Sequence, residues 1–316
     1  MSRAVATNYV IYGKASNFER DLFSPHYNHT LAMGYPSLQP HLPASHAPLL
    51  PPGIHLSITD TQASDANFLL HHFISTYVKA DQPVVLVGLA GILNHYTLVG
   101  RKLGVNLTTA KTKGIFHFVD GLTQLTDYSA PNKDFVKPTT TTTTTTAQPQ
   151  QVTLQYSPNL KDIYKTIEDL VRSIQATSVK QLCLILDDVS ILLNCGWPCR
   201  DVLALIRYLK LLCEEVNGSL VTLIHADAVM ADEVDQDGLV KGVLYEADYI
   251  IDVRGLDSGG SRDVHGQISM LRGPGFLRRL RAGQVKEHEW PAVTLHYKVL
   301  DNNVDIFAKG FSSGVL

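Results

Sequence analysis

The segment between two apolar stretches near residue 60 is where an α/β nucleotide-binding protein carries its phosphate loop. That loop needs glycines, whose bare backbone N–H groups surround the phosphates together with a lysine, and then a hydroxyl residue that binds Mg²⁺. In this chain an apolar run at 54–59 leads into Asp-Thr-Gln-Ala-Ser-Asp-Ala-Asn at 60–67, and an apolar helical pattern follows. The sequence therefore predicts the strand, loop and helix of a phosphate site, but not the residues that bind phosphate.

Every position of the loop that should contact phosphate holds the wrong kind of residue. Asp60 and Asp65 stand where the glycines belong, Ala66 replaces the lysine, and Asn67 replaces the hydroxyl residue. No Lys or Arg occurs within residues 54–78, so a shift of register does not restore the motif. The loop is a degenerate phosphate loop.

Electrostatics argue against a nucleotide in this loop. A phosphate oxygen about 4 Å from a carboxylate is repelled by about 4 kcal/mol at an effective dielectric constant near 20. We predict instead that Asp65 is the N-cap of a helix that begins near Ala66, because its carboxylate can accept the free N–H groups at the positive end of the helix dipole. The chain's own anion then takes the place of the phosphate, and no cofactor is expected.

A second acidic feature follows the apolar run at 182–186. Asp187 and Asp188 stand where a nucleotide-hydrolysing domain holds Mg²⁺ through water. Acidic residues often follow buried strands, however, and Asp187 can equally cap the turn toward Ile191. The glutamate base expected just past the second strand is replaced by Leu-Ala-Gly at 89–91. We interpret the acidic pair as the vestige of a metal site and predict no catalytic residue.

The dense basic run of the chain consists of Arg272, Arg278, Arg279 and Arg281, with Lys286, and the pattern places it on a loop between strands. Two interpretations stay open, a solvated loop and a loop that contacts phosphate. A formal net charge of −3 argues against tight, non-specific binding of nucleic acid by the isolated chain. Five acidic residues at 227–237 would also repel a polyanion. Any contact with RNA is expected to be local.

Cysteine and histidine patterns favour no further chemistry. Cys195 and Cys199, in Cys-Gly-Trp-Pro-Cys, suggest a metal site, but no second Cys or His pair lies at ligand spacing. We expect reduced thiols and no metal. His225-Ala226-Asp227 ends an apolar run without a nucleophile-elbow serine or cysteine, so a polar strand terminus is favoured over a catalytic pair.

The elements around these residues predict one α/β domain. Apolar stripes at helical spacing, at 69–78, 160–174 and 202–216, alternate with short apolar runs typical of parallel strands covered on both faces. After residue 264 the pattern changes to alternating strands without helices, at 267–271, 293–299 and 304–308. A parallel sheet that finishes in antiparallel strands is a mixed architecture found in RecA-like ATPases, among other proteins. The predicted parallel strands are 54–59, 84–89, 115–119, 182–186, 220–224 and 249–253.

Two stretches are predicted to lie outside the packed domain. Residues 1–50 are rich in proline and histidine and read as a disordered extension before the domain at 51–316. Residues from about 128 to 151 form a low-complexity insertion with an unbroken threonine run at 139–146. Neither a signal-peptide core nor a membrane span is recognised, so we expect a cytoplasmic or nuclear protein with no membrane partner.

Four stretches of the chain resemble the Elongator complex protein 6 family, and the resemblance extends over about residues 53–316. They are Leu-Leu-His-His-Phe at 69–73, His-Tyr-Thr-Leu-Val-Gly-Arg-Lys-Leu-Gly-Val at 95–105, Asp-Val-His-Gly-Gln at 263–267, and the ending at 301–316 with Phe-Ala-Lys-Gly at 307–310. The N-terminal extension and the threonine run depart from the family pattern.

The resemblance implies a RecA-like fold without a working nucleotide site. It further implies assembly with Elongator proteins 4 and 5 into a hetero-hexameric ring with two copies of each. That ring would be an accessory of the Elongator enzyme, binding transfer RNA and supporting carboxymethyl-type modification of the wobble uridine, U34. Two alternatives stay open from the residues themselves: a divergent RecA-type ATPase and a free-standing RNA-binding module.

Overall fold

The structure is a computed structural model. It describes residues 34–42, 48–125, 152–177, 180–227, 234–257, 259, 261–286 and 292–310. The predicted insertion at about 128–151 lies outside the described residues, as do residues 1–33 of the predicted extension.

The described strands form one sheet of ten, in the order β10-β9-β8-β7-β1-β6-β5-β2-β3-β4. The seven strands from β7 to β4 are parallel, whereas β8, β9 and β10 pair antiparallel at one edge. This confirms the mixed sheet predicted from the change of pattern after residue 264. The strands are β1 (His55–Asp60), β2 (Val84–Gly88), β3 (Phe116–Asp120), β4 (Val152–Thr153), β5 (Cys183–Leu186), β6 (Ser219–His225), β7 (Tyr249–Arg254), β8 (Gly266–Arg272), β9 (Val293–Val299) and β10 (Val304–Ala308).

Helices cover both faces of the parallel part of the sheet. In the described part of the chain none of them is long and apolar enough to span a membrane. The helices are α1 (Asn67–Lys79), α2 (Leu93–Lys102), α3 (Leu107–Thr112), α4 (Leu122–Leu125), α5 (Leu160–Thr177), α6 (Ser190–Asn194), α7 (Cys199–Glu215), α8 (Val234–Glu246) and α9 (Pro274–Arg281), and a short 3-10 helix spans Gln39–His41.

Alternate residues of the central strands enter two separate cores. On β2, Val84 and Leu86 pack on the side of α1, α2 and α3, whereas Val85 and Val87 pack on the side of α5, α7 and α8. Side chains of a strand point alternately to opposite faces, so a strand covered on both sides is apolar throughout. The polar ends of these strands are therefore where a site can form.

Helix α1 is buried on all sides, and not only on the one face predicted from its apolar stripe. Its residues from Phe68 to Tyr77 are all buried, because residues 34–42 cover the face turned away from the sheet. Tyr35 stacks on His72 with ring centroids 5.7 Å apart, and its backbone N–H donates to His72 Nδ1 at 2.8 Å. A helix buried all round needs such a second cover.

The predicted extent of the disordered extension is thereby corrected. Tyr35, Leu38, Leu42 and Leu50 belong to the core on the α1 side, so the folded domain includes residues that composition assigned to the extension. Gly34 permits the close approach: its φ is +62°, and a Cβ there would lie 2.3 Å from His72 Nδ1.

The predicted absence of helices after residue 264 is wrong. Helix α9 starts with Pro274 at its first turn after Gly273 at the N-cap, an arrangement that needs no N–H from the proline. Phe276 anchors the helix, since its ring is fully buried and lies 5.6 Å from that of Tyr249. One buried aromatic among arginines gives too short an apolar stripe for the sequence pattern to reveal.

Candidate functional site

The carboxyl ends of three adjacent strands bring together residues that are far apart in the chain. Strand β6 lies between β1 and β5 in the sheet, and Asp60 at the end of β1 is in register with His225 at the end of β6. Asp187 and Asp188 directly follow β5. In open α/β sheets this edge is where ligands bind.

His225 bridges two buried carboxylates at this edge. Its Nδ1 lies 2.5 Å from Asp60 Oδ1 and its Nε2 lies 3.2 Å from Asp188 Oδ2. The side chains of Asp60 and Asp188 are 1% and 4% exposed, against 40% for His225. The hydrogen bonds to Asp188 and then Asp60 raise the pKa of His225 to about 10. At neutral pH the ring is therefore an imidazolium that donates from both nitrogens.

The second oxygen of Asp60 closes the degenerate phosphate loop on itself. Asp60 Oδ2 accepts the N–H of Ala66 at 2.9 Å, and the chain between them makes a tight turn with a bridge from Thr61 to Ser64. The carboxylate of Asp60 therefore lies where the helix presents its free N–H groups, which is the position that phosphate takes in a nucleotide-binding loop.

The predicted N-cap at Asp65 is corrected by one residue. The N-cap of α1 is Ala66, whose side chain makes no capping hydrogen bond. Asp65 precedes it, and its Oδ1 accepts the N–H of Asn67 at 2.6 Å. Asp65 thus binds a free helix amide as expected, but it is Asp60 that fills the loop, because the tight turn draws the end of β1 against the start of the helix.

These residues do not fit a nucleotide. A phosphate at this loop would meet the carboxylates of Asp60 and Asp65 with no lysine to offset their charge. The imidazolium of His225 lies at this edge, but it is already paired with the carboxylates of Asp60 and Asp188.

Asp187 is turned toward the loop after β2. Its carboxylate accepts the N–H groups of Leu89 at 2.6 Å, Ala90 at 3.1 Å and Gly91 at 2.8 Å, and the hydroxyl of Tyr96 at 2.6 Å. Burial raises the pKa of Asp187, and these hydrogen bonds oppose the rise. A carboxylate with four donors has little capacity left for a metal ion.

The turn that Asp187 was predicted to cap is capped by its neighbour. Asp188 Oδ1 accepts the N–H of Ser190 at 2.8 Å, at the start of α6. The two acids therefore divide two tasks: Asp187 fixes the segment that replaces the glutamate base, and Asp188 fixes α6 and His225.

The predicted loop position of the arginine run is wrong: Arg272 ends β8, and Arg278, Arg279 and Arg281 lie on α9. Arg279 is engaged internally. Its Nε lies 3.1 Å from Asp248 and its Nη2 lies 2.7 Å from Glu214, while the same nitrogen donates to the carbonyl of Gly53. Its side chain is 17% exposed. Arg279 therefore holds α9 against α7 and the start of β1.

The other arginines of the run have mixed surroundings. Arg278 lies over the ring of Tyr245 at 5.2 Å and 3.7 Å from Glu246. Arg272 lies over the ring of Phe276 at 5.2 Å, and Arg281 is exposed at the end of α9. Contact with RNA through this run stays a prediction, and Arg278 and Arg281 are its exposed members.

Cys195 and Cys199 are free, half-buried thiols, and the described residues contain no group of three or more His, Cys, Asp or Glu side chains arranged for a metal ion. Sequence reasoning missed the role of His225, which it interpreted as a strand terminus. The signal available in the sequence was a histidine and two acidic sites, each at the end of an apolar run. These residues become neighbours only if the three strands are adjacent in the sheet.

The fold and the site define the class of protein: a RecA-like α/β domain whose phosphate loop is filled by its own aspartate. The fold is similar to that of a KaiC-like protein from Pyrococcus horikoshii in a crystal structure, with a TM-score of 0.55, 12% sequence identity, and coverage of 88% of this chain and 98% of that one. At that identity the likeness shows the fold alone.

Sequence relatives identify the family. The family model described as Elongation complex protein 6 matches residues 36–301, and the chain belongs to that family. Human Elongator complex protein 6 is 32% identical over 261 residues, covering 80% of this chain and 90% of the relative. The mouse protein is 33% identical over 257 residues with the same coverage, and that of Dictyostelium discoideum is 27% identical, covering 83% and 92%.

Proposed function

We propose that this chain is a non-catalytic accessory subunit of the Elongator complex. It assembles with Elongator proteins 4 and 5 into a RecA-like hetero-hexameric ring with two copies of each, in the cytoplasm or the nucleus. The ring binds transfer RNA and supports carboxymethyl-type modification of U34. Family membership supports the place in the complex, and the resemblance of the four sequence stretches supports the ring.

One observation carries the non-catalytic part of the proposal. The carboxylate of Asp60 binds the helix N-terminus where phosphate would bind, and His225 ties it to Asp188. An enzyme of this fold needs those positions free for phosphate and Mg²⁺. The domain has kept the sheet and helices of a nucleotide-binding protein and uses its acidic residues to hold them together.

Co-expression with Elongator proteins 4 and 5 tests the assembly. We expect a single species with two copies of each chain, measured by size-exclusion chromatography with light scattering. A chain that remains monomeric in the presence of both sister proteins would contradict the proposal and favour a free-standing module.

Calorimetric titration of the isolated full-length chain with ATP and Mg²⁺ tests the nucleotide site. We expect no binding in the micromolar range. Saturable micromolar binding would contradict the argument from Asp60 and Asp65 and favour the divergent ATPase, for which the acidic pair after β5 is the sequence argument.

A further inference from the structure

The segment from residue 82 to residue 119 contains cationic side chains and no acidic ones. It contains Arg101, Lys102, Lys111 and Lys113 but no Asp or Glu, although the whole chain has a formal net charge of −3. The segment includes β2, α2, α3 and β3 as far as Val119, and Asp81 and Asp120 flank it. The structure therefore concentrates positive charge on one helical hairpin of a chain that is acidic overall.

These cations have no acidic partner in the part of the chain that the structure describes. Arg101, Lys102 and Lys113 are exposed and Lys111 is half-buried, and none of the four forms an ion pair with another described residue. The arginines of α9 differ, since Arg278 and Arg279 contact acidic side chains of the same chain. Unpaired exposed cations keep their full charge for an external anion.

At residues 101–113 the remaining side chains are of the kind that contacts a phosphodiester backbone, whereas the earlier part of α2 also exposes Leu98, which is 51% exposed. Between residues 101 and 113 the apolar side chains pack inward, with Val105, Leu107 and Ala110 buried in the core. The exposed side chains are hydroxyl, amide or cationic: Arg101, Lys102, Asn106, Thr108, Thr109, Thr112 and Lys113. A protein interface has apolar anchors at its centre, whereas Lys, Arg, Ser, Thr and Asn make most contacts to nucleic-acid phosphates.

We infer that residues 101–113, the α2–α3 surface, form a binding site for the sugar-phosphate backbone of RNA. The inference deepens the proposed function and rests on its RNA-binding step, which it assigns to a surface other than the arginine run. The contacts are to phosphate, so the site positions an RNA without reading its sequence. The bound RNA lies on the α1 side of the sheet, away from α5 and α7.

A charge-reversal variant tests the site in the assembled complex. The triple change Arg101→Glu, Lys102→Glu and Lys113→Glu uses exposed positions only. The probe is a fluorophore-labelled transfer RNA, measured by anisotropy from about 50 to 200 mM salt. We expect affinity to fall at least about tenfold and the salt dependence to become shallower by about two to three released counterions. Unchanged affinity in an intact ring would overturn the inference.

A matched control reverses three exposed lysines on the opposite face of the domain, Lys161, Lys165 and Lys241. It reverses the same number of charges. Equal losses of affinity in the two triple variants would therefore show that only the net charge matters, and would contradict a binding site at the α2–α3 surface. Loss of ring assembly in the α2–α3 variant alone would assign the surface to a protein partner and also overturn it. If the reversed chain does not fold, the changes of the same three residues to Gln make the test.

Failure of the proposed function is distinguishable from failure of this inference. If the wild-type chain does not assemble with the sister proteins, the same anisotropy experiment is run on the isolated full-length chain. A lower affinity of the α2–α3 variant then supports the surface even without a ring, and equal affinities of variant and wild type overturn it.

Discussion

Asp60, Asp188 and His225 show how single residues take over the place of a ligand. Nucleotide-binding loops satisfy the free N–H groups of their helix with phosphate, and here Asp60 does so from inside the chain. A buried carboxylate is costly unless it is paired and hydrogen-bonded, and His225 supplies one cation for two such groups. The acidic residues at this edge therefore contribute to the stability of the fold.

The two aspartates of the loop differ in their predicted contribution to stability. Asp60→Ala leaves the buried N–H of Ala66 and one side of His225 without a partner, so we expect a loss of about 2–4 kcal/mol in the free energy of unfolding. Asp65→Ala removes an exposed hydrogen bond and should cost at most about 1 kcal/mol. Urea unfolding measures both free energies. A larger loss for Asp65→Ala than for Asp60→Ala would show that Asp65 contributes more than Asp60 to the stability of the loop.

His225 should make stability depend on pH. Because its folded-state pKa of about 10 lies above the ordinary value of 6.5, its contribution is complete below pH 6.5 and is lost as pH rises toward 10. We expect His225→Gln to be less stable than wild type at pH 6.5 and the difference in melting temperature to shrink by pH 10. His296→Gln is the control, since His296 has no carboxylate partner among the described residues. A difference that stays constant across this range would exclude the imidazolium.

At the scale of elements, the loops at the strand ends are fixed by side chains from neighbouring strands. Asp187, after β5, binds three consecutive amides of the loop after β2 and the hydroxyl of Tyr96 on α2. Gly91 fits because a Cβ there would lie 2.7 Å from the ring of Tyr96. Asp187 therefore holds this loop by three hydrogen bonds and ties it to α2 by a fourth.

Asp187→Asn should loosen this loop specifically. The amide replaces one acceptor with a donor that faces N–H groups, so we expect a loss of about 1–3 kcal/mol in stability. Amide hydrogen exchange at residues 89–91 should accelerate, and Tyr96→Phe should have a smaller effect of the same kind. Asp162→Asn, at an exposed position of α5, is the control. Protection that persists at residues 89–91 in Asp187→Asn would show that backbone geometry alone holds the loop.

At the scale of the whole molecule, residues 34–42 and 48–50 complete the core on the α1 side. Leu38 and Leu50 are 0% and 1% exposed, and Ser37 Oγ donates to the carbonyl of Val304 on the edge strand β10 at 2.5 Å. The segment thus contacts both α1 and the antiparallel edge of the sheet. Residues 34–42 and 48–50 therefore form part of the folded domain, although their composition predicted a disordered extension.

Leu38→Ala tests that layer. Truncating a fully buried leucine should cost about 2–5 kcal/mol, whereas Leu271→Ala, at a residue 40% exposed, should change stability by at most about 1 kcal/mol. Chemical denaturation of the full-length chain measures both. Equal stability of Leu38→Ala and wild type would show that residues 34–42 do not contribute to the folded core.

The sequence predicted the elements whose patterns are long or simple. The predicted strands agree with the observed ones to within one or two residues, because a strand covered on both faces is an uninterrupted apolar run. Helix α9 and the burial of the outer face of α1 were missed. Both depend on contacts with distant segments, Phe276 with Tyr249 and Tyr35 with His72, which a local pattern does not contain.

By itself the sequence determined that the phosphate loop has no glycine pair and no lysine, and hence that a nucleotide would meet two carboxylates at residues 60 and 65. Only the tertiary structure decided that Asp60 fills the loop and that His225, 165 residues away, pairs with it. The physical reason is strand order. Hydrogen bonding places β6 between β1 and β5, and which strand ends become neighbours follows from the packing of the whole sheet, not from the residues around each strand.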